Sequence, residues 1–252
     1  MLTTTSLINI RYEENKRFQI GSKNRRLIAI LFCRPELDLM KSAIIPSLHY
    51  FHRRSGGNTA FYFGGFELDL EDFCLEDQNQ AAKVVVKADT ASRTIVKEVK
   101  GRLVGEKNTY FSIEGPGRTW YFIPDSFNEF RKEVEQETAW RYSGGCDMIL
   151  LNSKHRPGAP EADLDFSSSL VLKLDEVQKL VATPTISRLF EAIFQYAEAQ
   201  NSDDPAWGLS DMLGLKVARH SVWDAILAVI PNAFRPSIDA ARLLVVQDIS
   251  KA

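Results

Sequence analysis

Two short acidic alternations are the first places to look for chemistry: FELDLEDF, Phe66 to Phe73, and EADLDF, Glu161 to Phe166. In a strand, residues two apart share a face, so Glu67, Asp69 and Glu71 project together, as do Glu161, Asp163 and Asp165. Carboxylates grouped this way can hold a hard divalent ion through oxygen ligands. The competing reading is the solvated face of an edge strand, where charge discourages aggregation. It is the preferred one, because alternating charge alone specifies no ligand geometry. Further along, Glu98-Val99-Lys100 in TIVKEVKG has the E-x-K spacing of a nuclease core, with Asp69 or Asp89 as the upstream acid. There a metal-bound water would attack a phosphodiester and the lysine would stabilise the developing charge. An E-x-K triplet also arises by chance in a chain that is 25% charged.

A Ser-Gly-Gly turn occurs twice, in RRSGGNTAFYFGG from Arg53 and in RYSGGCDMILLN from Arg141. Consecutive backbone donors in such a turn can cradle an anion. Phosphate loops run from a strand into a helix N-terminus, whereas each of these turns follows a helix end, where the dipole is negative. Neither GxGxxG nor GxxxxGK[ST] occurs, so a helix-to-strand turn is expected. His49 and His52 sit three apart near a helix end without the CxxC, HExxH or second histidine pair of a zinc site. The serine elbow G-x-S-x-G is absent. Cys33, Cys74 and Cys146 are odd in number and far apart in apolar surroundings, which favours buried thiols in a reduced compartment. Gly208 to Leu227 loosely echoes a helix-turn-helix, but its second helix offers Trp223 and Asp224 in place of base-reading side chains.

These side chains depend on the elements that carry them. Leu27 to Cys33 (LIAILFC) is a continuous apolar run of the kind a buried strand shows. Leu37, Met40, Ile44, Leu48 and Phe51 then step by three or four along one face of a helix, which Pro46 should bend. The Ser-Gly-Gly turn and the aromatic run NTAFYFGGF complete a β-α-β unit. The same order recurs as RTWYFI, a break at Pro124, a helix carrying Phe127, Phe130 and Val134, and CDMILLN. An internal duplication, about 27–73 and 119–166, is one expectation; the recurrent grammar of α/β folds is the other. The intervening stretch reads as hairpins, so the sheet should be mixed. Beyond about residue 178 the texture turns helical. Pro184 starts a helix with Ile186, Leu189, Phe190, Ile193 and Ala197 on one face, and the β-branched end of SIDAARLLVVQDI keeps a final strand in play.

The predicted fold is therefore α/β with a mixed sheet, two similar β-α-β units in residues 1–178, and a mainly helical region, 179–252, packed on it. Formal net charge is -2 over 252 residues, with 31 basic and 33 acidic side chains, so no global field draws the chain to nucleic acid or an anionic surface. No segment has the length and apolarity of a membrane span or signal peptide. The functional expectation is a non-catalytic binding or assembly component of a cytoplasmic complex, with a protein partner and no cofactor. The aromatic residues Trp140, Tyr142 and Trp207 are its interaction candidates. The rival is a metal-dependent hydrolase or nuclease with Asp69, Glu98 and Lys100 at its centre and Glu67, Glu71, Asp163 and Asp165 as further ligands. A divalent metal is expected only under that reading.

Overall fold

The computed structural model describes residues 2–4, 6–20, 25–54, 59–68, 84–89, 94–99, 102–103, 108–109, 111–115, 118–180, 184–199, 245–247 and 249–251. In chain order the elements begin with β1 (Leu2–Thr4), α1 (Leu7–Ile20) and β2 (Arg25–Phe32). Next come a π-helical turn (Met40–Ile44), a 3₁₀ turn (Ile45–Ser47) and α2 (Leu48–Arg54). The helix expected from Leu37 is thus broken into three pieces. Pro46 lies in the 3₁₀ piece, where its missing donor interrupts the regular ladder.

The strands β3 (Thr59–Gly64) and β4 (Phe66–Leu68) follow. Then come β5 (Val84–Asp89), β6 (Thr94–Val99), β7 (Arg102–Leu103), β8 (Asn108–Thr109), β9 (Phe111–Gly115) and β10 (Arg118–Phe122). The chain continues through α3 (Pro124–Glu137), β11 (Asp147–Lys154), β12 (Asp163–Lys173), α4 (Leu174–Leu180), α5 (Pro184–Ala199) and β13 (Val245–Gln247).

Among the described residues the strands form a large sheet in the order β13-β12-β11-β2-β3-β1-β4-β10-β9 and a small one built on β5-β6-β7, with β8 paired to β6. β1, β3 and β2 run parallel and the other pairings are antiparallel, so the sheet is mixed. Strand alternation sorts the central side chains. Phe32, Ile30 and Tyr62 share one face, and Phe61 and Phe63 the other. The first face is covered by α1, whose Glu14 meets Tyr62, and by α3, whose Phe127 and Phe130 pack on Phe32. On the second, Phe190 and Phe194 of α5 close over Phe61 and over Phe51 of α2. Helices on both faces of a sheet are the layer solution for strands as continuously apolar as β2.

Gly65 joins β3 to β4 with φ at +75°. Its N–H donates to the Thr4 carbonyl at 3.0 Å and its own carbonyl accepts from Ile123 at 2.8 Å, which ties β1, β3 and β10 together at one point. A Cβ here would lie 2.4 Å from Cβ of Phe127. Both the backbone angle and the approach of α3 therefore require glycine.

The two strand-helix-strand stretches do not fold alike. β2 and β3 are adjacent and parallel. β10 and β11 are separated in the sheet by β4, β1, β3 and β2, and the ladder directions make them antiparallel. Their connecting helices also cover opposite faces. Element order recurs; topology does not. At the far end, the predicted face of α5 is buried at Ile186, Leu189, Phe190, Ile193 and Ala197. β13 pairs with Leu170, Val171 and Leu172 of β12, so the end of the chain is stitched into the large sheet. Residues 200–244, including the rest of the expected helical region, lie outside the described residues.

Candidate functional site

Among the described residues, the carboxylates of the two acidic alternations lie apart. Glu67 lies on β4, opposite Tyr121, while Asp163 and Asp165 lie on β12. Five strand spacings separate those strands, roughly 24 Å at about 4.8 Å each. Asp165 is taken up by Lys154, which forms an ion pair with it, and by the Ser167 hydroxyl, which donates at 2.6 Å. Burial alone would raise its pKa, but Lys154 and Ser167 outweigh burial and hold the carboxyl below its ordinary range. Asp163 is exposed and paired in register with Lys154. Glu98 lies on β6 of the small sheet, opposite Val85. Asp69, Glu71, Lys100, Trp207 and Cys74 lie outside the described residues. Among the described residues no group of three His, Cys, Asp or Glu side chains could hold a metal ion.

The second Ser-Gly-Gly turn does hold anions, and they are the protein's own. The Ser143 amide donates to Asp147 Oδ2 at 2.9 Å and its hydroxyl to Oδ1 at 2.6 Å. Gly145 N–H donates to Ser143 Oγ at 3.1 Å, and Cys146 N–H donates to Asp175 Oδ2. Gly144 takes φ +88°. With Ser143 donating to Asp147 and Cys146 to Asp175, the turn acts as a helix-to-strand connection. Burial pushes Asp147 above its ordinary value, although the two Ser143 bonds pull the other way. Residues 55–58, which carry the first copy, lie outside the described residues.

Of the aromatic interaction candidates, Trp140 is buried with its ring 4.7 Å from that of Phe32. Its area is therefore spent inside the fold. Tyr142 is half-buried, and its hydroxyl donates to the Gly145 carbonyl at 2.7 Å. Burial, then the charge of Asp147, pushes that phenol well above its ordinary range.

The cysteines depart from the expectation of separate buried thiols. Cys33 and Cys146, 113 residues apart, are joined as a disulfide with Cα atoms 4.3 Å apart. The ladder pairs Phe32 with Asp147, so these two occupy its next rung. Nothing in their sequence spacing could announce this, because the pairing exists only once β2 and β11 are neighbours.

The least anticipated feature is α1. Its N-terminus is capped by Ser6, whose Oγ accepts from Asn9 N–H at 3.3 Å. Leu7, Ile10, Glu14, Asn15 and Phe18 form its buried stripe. A carboxylate and an amide in that stripe break the apolar periodicity that sequence patterning relies on. Glu14 is fully buried and accepts from the Tyr62 hydroxyl at 2.6 Å, with Arg26 at 3.6 Å and Arg17 at 3.8 Å. Asn15 Nδ2 donates to the carbonyls of Ala159 and Pro160 at 3.3 and 3.0 Å. Glu133 of α3 accepts from Leu7 N–H at 3.0 Å, and Glu137 pairs with Arg11 at 2.6 Å. The helix is fixed along its inner side by polar bonds. Its outer side carries Ile8, 39% exposed, Tyr12, 42%, and Ile20, 90%. Among the described residues the only other large hydrophobic exposed to this degree is Tyr50.

Asn152 is a second buried polar residue. It sits on β11 opposite Leu27 and Asp165, fully buried, with neither Oδ1 nor Nδ2 hydrogen-bonded. An unsatisfied buried polar group costs about 1–3 kcal/mol. Asn152→Leu, close in volume, is expected to raise the unfolding free energy by about 1 kcal/mol once repacking is included. Urea unfolding of the two chains measures this. A loss of stability above that size would mean that the amide is satisfied in solution.

No protein family, curated protein or solved structure matches the chain.

Proposed function

We propose that this chain is a binding or assembly component that docks a protein partner through the outer side of α1. The supporting observation is the arrangement of that helix: three of the four large hydrophobic side chains exposed among the described residues lie on it, while Glu14, Asn15 and Arg11 fix its inner side. Scattered single apolar residues on a surface are ordinary. Concentration on one firmly held helix is what an interface uses, because little conformational freedom is lost on docking. The partner is a protein presenting an apolar patch with room for the Tyr12 ring, since aromatic anchors of this kind dominate interface energetics. The neighbouring charges are already used: Lys16 pairs with Glu13 at 2.8 Å and Arg11 with Glu137.

The test compares the tagged chain with an Ile8→Asp/Tyr12→Asp variant, both purified gently from native cells. The expected result is a stoichiometric companion protein that rebinds the purified wild-type chain and binds the variant at least 100-fold more weakly, the scale of two lost anchors. Circular dichroism confirms that the variant is folded. A wild-type chain that runs as a lone monomer throughout, or a companion held equally by both chains, overturns the proposal.

A further inference from the structure

Cys33 and Cys146 lie where four parts of the fold converge. Cys33 follows the last residue of β2 and Cys146 precedes the first of β11. The Cys146 carbonyl accepts from Leu174 N–H at 2.7 Å, and its own N–H donates to Asp175, so this residue is bolted to the start of α4. On its other side stands the Ser143 turn, closed on Asp147. Because the backbone groups of Cys146 point to α4, the Cys33–Cys146 rung makes no hydrogen bonds of its own. Opposed residues on such a rung of an antiparallel pair lie about 4.5 Å apart, closer than on a hydrogen-bonded one. The observed 4.3 Å is therefore the spacing that the ladder itself imposes. Eight rungs, Arg25 to Phe32 against Lys154 to Asp147, hold the strands together whether or not the sulfurs are bonded.

We propose that Cys33 and Cys146 form a reversible redox latch, closed as a disulfide across the last rung between β2 and β11 and open as two thiols that loosen the turn and the start of α4. The ladder keeps the sulfurs together in the open form, so closure is an intramolecular step at high effective concentration. The oxidant is a low-molecular-weight disulfide. One cysteine thiolate attacks it, forming a mixed disulfide and expelling one small thiolate. The second cysteine thiolate then attacks the protein sulfur of that mixed disulfide, forming the Cys33–Cys146 bond and expelling the second small thiolate. The chain loses two electrons, the small disulfide gains them, and the two cysteine protons end on the two small thiols. Both cysteines are buried, at 1% and 0% exposure. Exchange is therefore gated by local opening and runs slowly beside that of a surface thiol.

The full chain is equilibrated in glutathione mixtures from fully reducing to fully oxidising, quenched, alkylated in denaturant, and mapped by mass spectrometry. Amide hydrogen exchange is read in the same two end states, which needs no substitution. Expected are a single two-electron transition, a linked peptide pair containing Cys33 and Cys146, and amides of Cys146 and Leu174 exchanging at least tenfold faster after reduction. Cys33→Ser is expected to lock in the fast-exchanging behaviour whatever the mixture. If both thiols remain alkylatable in oxidised glutathione alone, if Cys74 takes the place of either, or if the bond forms without changing exchange at Cys146 and Leu174, the latch is overturned.

Discussion

Glu14→Ala is expected to lower the unfolding free energy by about 3–5 kcal/mol, the range for removing one partner of a buried charged cluster. The size follows from what remains behind. Arg26 is nearly buried and faces Glu14 Oε2 at 3.6 Å, and the Tyr62 hydroxyl loses its 2.6 Å acceptor. The alanine also leaves space beneath α1. Denaturant unfolding gives the loss directly, and a change below about 1 kcal/mol would mean that the cluster is solvated.

The same carboxyl has a pH signature. Burial is the leading influence on Glu14 and raises it above the ordinary value of 4.5, against the pull of Arg26 and the Tyr62 bond. A group whose folded pKa lies above its unfolded one binds its proton more firmly when folded. Its stabilising contribution is complete below the unfolded value and is lost as pH rises through the folded one. Wild type should therefore lose stability relative to Glu14→Gln as pH climbs from 4.5. A wild type that gains on the glutamine variant over that climb would show that the arginines, not burial, set the titration.

Phe32→Ala is expected to cost about 3–5 kcal/mol, as large aromatic truncations in packed cores do. Phe32 ends β2 with its ring 5.0 Å from Phe130, 6.0 Å from Phe127 and 4.7 Å from Trp140. It joins the sheet to both α3 and the segment that follows it. The near-ultraviolet circular dichroism of Trp140 should weaken along with stability, because its packing partner is gone. A stable variant with an unchanged aromatic spectrum would place Trp140 elsewhere.

These two sites differ in how far they could be read from sequence. Phe32 belongs to LIAILFC, and an unbroken apolar run announces a strand buried on both faces. Pro46 announced the break in the following helix, and Pro184 the start of α5. Glu14 gave no such notice: a buried carboxylate on α1 is legible only beside Arg26 and Tyr62, which arrive from other strands. The two similar stretches differ in topology for a related reason. Local pattern specifies strand, helix and turn, but strand direction and neighbour are set by pairing across the whole chain. The acidic segments show the same limit, since alternation groups carboxylates by face but gives no notice that five strand spacings separate Glu67 from Asp163 and Asp165. Trp140 looked available because it stood near a turn, and its burial depends on Phe32, 108 positions earlier in the numbering.

The position of β1 carries a consequence for the order of events at the ribosome. Leu2 to Thr4 lie in the middle of the large sheet, parallel to Tyr62 to Gly64 on one side and bridged to Phe66 on the other. β1 is thus a central strand made before either of its neighbours. At 5–20 residues per second, roughly 3–12 s pass before β3 and β4 follow. Until then neither of its sheet partners is present, and long-range pairings of this kind are slow to close in any case. Once placed, β1 divides the sheet into a side built on β2 and β3 and a side built on β4 and β10. Its three residues are the seam where those two sides of the sheet meet.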